Sequence, residues 1–187
     1  MADVASALKD ADTKMSKAVE VAKDDFASIR TGRAHPSMFN KIMVDYYGTW
    51  TALSQLASIQ VPESRMAVVS PFDKGAMSSI EKAIRESDLG VNPATDGAII
   101  RVNFPQLTEE RRKDYIKVAK TKAEDSKISM RNIRRTAKEL MEKLEKDGDI
   151  GKDDLSRGEK KLEKITSDHV AKIDDLLKHK EAELLEV

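Results

Sequence analysis

No cysteine occurs in the 187 residues, which excludes disulfides and thiolate metal sites and fits a reducing compartment. Aromatic residues make up only 4% of the chain against 35% charged, a balance that points to long solvated helices rather than a thick globular core. No run of about 18 apolar residues is present, so no membrane span is expected. The N-terminal MADVASALKDADTKM carries charge from Asp3 onward and lacks the apolar stretch of a secretory signal, so the expected location is cytoplasmic. Catalytic signatures are missing too. There is no Gly-rich phosphate loop and no GxSxG, and His35, His169 and His179 lack ligand spacing. The carboxylates are dispersed, with no isolated acid/base pair. No enzyme activity, cofactor or metal is therefore expected.

Net charge is also missing, with 33 basic and 33 acidic residues, but the balance conceals an asymmetry. Residues 111–138 carry 11 Lys/Arg against 3 Asp/Glu, whereas residues 139–187 carry 10 against 15. A local zone of one sign binds an anionic surface while the rest of the chain stays neutral.

Three segments have helical periodicity. Val4, Leu8, Ala11, Met15, Ala18, Ala22, Phe26 and Ile29 form a heptad-like seam uninterrupted by Gly or Pro. Residues 108–146 repeat the pattern through Ile116, Ala119, Ala123, Met130, Ile133, Ala137, Leu140 and Leu144, with Ser126 in the one missing slot. Thr108 is placed to cap this helix, and Glu109 and Glu110 suit its positive end. After a turn at 146–154, Leu155, Leu162, Ile165, His169, Ile173, Leu176 and Leu184 define a third seam, weakened at its start by Gly158. His169 falls on that seam, which predicts a packed structural histidine. Three single-striped helices bury their stripes against one another, so an elongated three-helix bundle is expected, its second helix about 58 Å long. Satisfied seams predict a monomer.

The middle of the chain differs. All five prolines lie between Pro36 and Pro105, and six of the eight aromatics lie between Phe39 and Phe104. KIMVDYY, ASIQV, RMAVVS and AIIRVNF read as short strands, and DKGAMSSIEKAIRES as a helix among them. The expected architecture is α+β: a bundle from 1–31 and 107–187, with a small β/α/β domain, 32–106, inserted between the first two helices. Hinges are expected at about 31–33 and 104–107. Trp50, the only tryptophan, is expected to be packed or partly exposed.

On the second long helix Lys113, Lys117, Lys120, Lys127, Arg131, Arg134 and Lys138 step by threes and fours, broken only by Glu124, and share a face, with Arg135 beside them. Ordinary solvated faces mix signs, because like charges at these spacings repel by a few tenths of a kcal/mol, about 0.2–0.5 per pair. A stack of one sign suits an external anion, and arginine adds a planar fork for phosphate. RNA fits better than duplex DNA, since no DNA-reading helix is evident. An acidic protein partner, bound by a helical adaptor, and a membrane surface remain alternatives.

IRTGRAHP (29–36), DYYGT (45–49), QLASI (55–59), IEKAIRESDLGVNP (80–93), LTEERRKD (107–114) and RNIRR (131–135) together make the chain resemble bacterial ribosome recycling factor over essentially its whole length. The resemblance implies an L-shaped molecule. It also implies a non-enzymatic factor that binds large-subunit ribosomal RNA and, with elongation factor G and its GTP hydrolysis, splits the post-termination ribosome and releases mRNA and deacylated tRNA. Carried over by position, it implies ribosome contacts at Arg134 and Arg131, at Arg30 and Arg33, and at Arg111 and Arg112, with Thr31, Gly32, Pro105 and Gln106 at the hinge. Trp50, Ala52 and Gln106 stand where the family often has proline.

Overall fold

A computed structural model of the protein describes residues 3–186. Its fold is α+β, with long helices and a small sheet domain. The order is helix α1 (Val4–Ala27), hairpin strands β1 (Met43–Tyr46) and β2 (Thr49–Ala52), a single turn α2 (Leu53–Leu56) and strands β3 (Ala57–Glu63) and β4 (Met66–Pro71). Helix α3 (Met77–Arg85), strands β5 (Asn92–Asp96) and β6 (Ile99–Asn103) and the long helices α4 (Glu109–Lys146) and α5 (Lys152–Leu185) follow. The chain forms two compact units. One holds the residues up to Phe26 together with Val118–Lys180, and the other holds Ala27–Lys117 together with the chain from Glu181 onward. The crossing segments 31–33 and 104–107 thus lie inside the second unit.

In the helical unit, α1 starts on a reciprocal cap. Asp3 Oδ1 accepts from the Ser6 amide at 2.6 Å, and Ser6 Oγ accepts from the Asp3 amide at 3.0 Å. That amide contact is the first cause holding the Asp3 carboxyl below its ordinary range. Its seam buries Ala7, Ala11, Met15, Val19, Ala22 and Phe26. Helix α4 starts as read, with Thr108 Oγ1 accepting from the Arg111 amide at 3.1 Å, and buries Ala119, Ala123, Met130, Ala137, Met141 and Leu144. One seam position differs from expectation: Leu140 is 38% exposed, and Met141 takes its place at 0%. Gly158 is buried rather than a weak start to α5. A Cβ there would lie 2.9 Å from both Met141 Sδ and Val4 Cγ1, so the bare backbone is what admits these side chains. Gly158→Val should therefore lower stability by about 2 kcal/mol through overpacking; an unchanged urea midpoint would refute that reading. His169 is buried, its Nδ1 2.8 Å from the Ile165 carbonyl and its Nε2 3.1 Å from Ser16 Oγ, a structural histidine with both ring nitrogens engaged.

In the sheet unit, β3-β4-β6-β5 form an antiparallel sheet and β1-β2 a separate hairpin. Alternation puts Ala67 and Val69 of β4 beside Val102 and Ile100 of β6 on the inner face, against Ile80 and Ile84 of α3. Phe39 and Phe104 meet edge to face at 5.9 Å in the same core. Strands β2 and β5 escape the sequence pattern. Strand β5 is NPATD, an almost wholly exposed edge whose Pro93 withholds a donor that an edge does not need. Strand β2 follows a two-residue turn in which Tyr47 (φ 50) and Gly48 (φ 83) are both left-handed, a type I′ geometry that Asn-Gly would have signalled more plainly.

The Tyr47 turn is fastened to the start of α3. Asp73 Oδ2 accepts from the Tyr46 hydroxyl at 2.8 Å and from the Tyr47 hydroxyl at 3.3 Å, while Oδ1 accepts from the Gly75 amide at 2.8 Å. The Gly75 amide, then the Tyr46 hydroxyl, hold the Asp73 carboxyl below its ordinary range. Hydrogen bonding to Asp73 raises Tyr46, and the Asp73 charge raises Tyr47. A depressed carboxylate stabilises the fold above its unfolded pKa, and that contribution disappears as pH falls through the folded value. The raised phenols contribute below their unfolded pKa and lose the contribution as pH rises through the folded one. The Gly75 amide resonance should accordingly titrate with a midpoint below that of an ordinary aspartate, and Asp73→Asn should abolish the step. A midpoint at or above the ordinary value would refute the clamp.

Candidate nucleic-acid interface

The basic stripe of α4 is present, and only part of it is free. Lys117 and Lys120 are exposed and make no ion pair among the described residues, whereas Lys113 pairs with Glu109 one turn back at 3.0 Å. Further along, the stripe meets carboxylates of α5. Lys127 reaches Asp174 at 2.6 Å, Arg134 reaches Glu163 at 3.6 Å, and Lys138 reaches Glu159 at 4.0 Å and Glu142 of its own helix at 3.9 Å. Arg131 turns to Glu124 on α4 at 3.2 Å. Arg135 lies on the exposed side and donates to Asn132 Oδ1, at 3.5 Å.

The acidic partners on α5 were not anticipated. The signal for them is the turn at Asp147–Gly151: Lys138 and Glu159, and likewise Arg134 and Glu163, are equidistant from the Gly148–Asp149 bond, as antiparallel neighbours must be. The Lys127–Asp174 pair sits about one helical turn out of that step.

The remaining candidates lie in the sheet unit. Arg33 and Arg111 are exposed, and Arg112 is half-buried with Nη2 3.5 Å from the Leu107 carbonyl. Arg30 is different in kind. It is 4% exposed, and its guanidinium donates from Nη1 to the Leu89 and Gly90 carbonyls at 3.1 and 3.2 Å and from Nη2 to the Pro105 carbonyl. It also stands over the Phe104 ring, 5.4 Å from the centroid. Burial depresses its pKa most, and the charge of Arg111 adds to that. Its donors are turned inward, so the structure places it as a tie among backbone segments. Of the hinge residues, Thr31 is buried and donates its hydroxyl to the Arg33 carbonyl at 3.2 Å, the Pro105 carbonyl is held by Arg30, and Gln106 is exposed.

Trp50 departs from the packing expected of it. At 69% exposure it stands on the outer face of β2, on the side shared with Met43. Among the described residues there is no cluster of His, Asp or Glu able to hold a metal ion, and no helix long and apolar enough to cross a membrane.

The sequence pattern described as ribosome recycling factor matches residues 22–185. The ribosome-recycling factor of Streptomyces avermitilis is 67% identical over 180 residues, which span 96% of this chain and 97% of that protein. That of Kineococcus radiotolerans is 62% identical over the same proportions. A solution structure of a ribosome recycling factor superposes with a TM-score of 0.77 at 38% identity, covering 100% of both chains. A second structure represents the T. thermophilus ribosome recycling factor with E. coli elongation factor G on the E. coli post-termination complex. It matches with a TM-score of 0.69 at 39% identity, over 99% of this chain and 100% of that one. With a family pattern running through α4 and α5 and relatives aligned almost end to end, the chain belongs to the ribosome recycling factor family.

Proposed function

We propose that the protein binds the post-termination ribosome in the cytoplasm as a monomer and, with elongation factor G and GTP hydrolysis by that factor, promotes its separation into subunits. mRNA and deacylated tRNA leave in the process. The protein itself performs no chemistry. Its part is to bind and to transmit force, with α4 lying on large-subunit ribosomal RNA through phosphate contacts at Arg131, Arg134 and Arg135, flanked by Lys117, Lys120 and Lys138. Arg33, Arg111 and Arg112 add basic contacts of their own. The inserted domain, 32–106, turns about segments 31–33 and 104–107 when elongation factor G engages it. The observation that carries this reading is family membership over nearly the whole chain. The cationic face of α4, broken only by Glu124, supports the RNA contacts, because arginine forks match phosphate oxygens.

The test is binding to vacant ribosomes across a salt series, wild type beside Arg134→Ala. Loss of one phosphate contact should weaken binding and reduce the log–log salt slope by somewhat less than about 1. Equal affinity and slope for the two proteins would remove α4 from the RNA.

A further inference from the structure

The cations of α4 that face α5 fall into two kinds. Lys127 is 25% exposed and meets Asp174 at 2.6 Å, a close contact at hydrogen-bond distance that fastens the two helices. Arg134 and Lys138 are 41% and 51% exposed, and their contacts to Glu163 and Glu159, at 3.6 and 4.0 Å, lie beyond hydrogen-bond range. These looser pairs are held by Coulomb attraction alone. Such attraction is weak at the surface and is screened by salt. Arg134 engages Glu163 through a single nitrogen, so most of its fork is uncommitted.

We propose that Glu163 and Glu159 are internal stand-ins for phosphate, occupying Arg134 and Lys138 in the free protein and yielding them to RNA. This deepens the ribosome-binding reading and rests on it. A phosphate arriving at Arg134 displaces Glu163 and then lies near a carboxylate that repels it. The pair therefore lowers affinity while keeping the arginine ordered and away from indiscriminate anions. Such exchange suits a factor that must leave its site after each round. Lys138 also has Glu142 at 3.9 Å, so removing Glu159 alone frees it less completely than removing Glu163 frees Arg134.

Two features separate this role from simple helix packing. A packing residue loses binding when it is altered, whereas a masking carboxylate gains it. The gain must also depend on the cation it masks. The experiment measures affinity for vacant ribosomes at low salt for Glu163→Gln, for Arg134→Ala, for the double variant, and for Asp168→Asn as a control. Asp168 is exposed on α5 and makes no ion pair among the described residues, so this control changes net charge equally without touching the stripe.

Glu163→Gln should bind about two- to fivefold more tightly, the range expected for releasing one exposed pair. The gain should exceed that of Asp168→Asn, shrink as salt rises, and vanish in the Arg134→Ala background. If Arg134→Ala weakens binding but Glu163→Gln does not strengthen it beyond the control, masking is refuted and the ribosome-binding reading stands. If Arg134→Ala has no effect, both fall.

Discussion

Arg30→Ala should destabilise the sheet unit by about 4 kcal/mol, with Arg30→Lys recovering little of the loss. The buried guanidinium donates to three carbonyls on two separate segments, Leu89 and Gly90 on one and Pro105 on the other. Hydrogen bonds from a charged donor are worth about 1.5–3 kcal/mol each, and a buried acceptor stripped of its partner costs about 1–3. Water entering the space left by the side chain recovers part of that sum. Lysine concentrates its donors at one point on a flexible stem, so it cannot span the two segments as the planar fork does. It also forfeits much of the stacking on Phe104. Arg30 Nε is the one buried side-chain polar atom without a partner among the described residues, a cost the three carbonyl bonds must already outweigh. Urea unfolding, with hydrogen exchange of β4 and β6 amides, would measure the effect. A ribosome-binding defect in an Arg30→Ala protein of unaltered stability would instead return Arg30 to the RNA surface.

Arg30 and Arg134 show where a sequence is legible and where it is not. Position along α4 is enough to place Arg134 on a stripe, because a 3.6-residue period fixes which side chains share a face. Nothing local to IRTGRAHP distinguishes an arginine aimed at solvent from one folded back onto carbonyls some 60 and 75 residues away. The strands divide in the same way. ASIQV and RMAVVS advertise themselves through β-branched alternation, whereas NPATD is a strand only because β6 offers it a partner. The acidic partners of the stripe were hidden for a related reason. Glu163 becomes a neighbour of Arg134 through the turn between α4 and α5, and the charge count over 139–187 reports their sign but not their address.

The seam of α4 yields the second large effect. Met141→Ala should cost about 3 kcal/mol, and Leu140→Ala less than about 0.5, although the expected seam ran through Leu140. Steps of three then four from Ala137 select Leu140, and steps of four then three select Met141; both end on Leu144, so periodicity does not choose between them. Gly158 chooses. It is the place on α5 where no side chain intervenes, and the flexible thioether of Met141 fills it alongside Val4. The same geometry makes the two positions interdependent. Gly158→Ala gains about 1 kcal/mol of helix propensity but pushes a Cβ into Met141 Sδ. With Met141 already cut back to alanine, the contact with Sδ is gone, and Val4 Cγ1, the other close neighbour of that methyl, has vacated space to shift into. The double variant Met141→Ala/Gly158→Ala should therefore be more stable than Met141→Ala alone, by up to about 1 kcal/mol, with a coupling of that order in the double-mutant cycle. Strict additivity in urea unfolding would mean that the two residues do not share the space, and that the glycine has some other reason to be there.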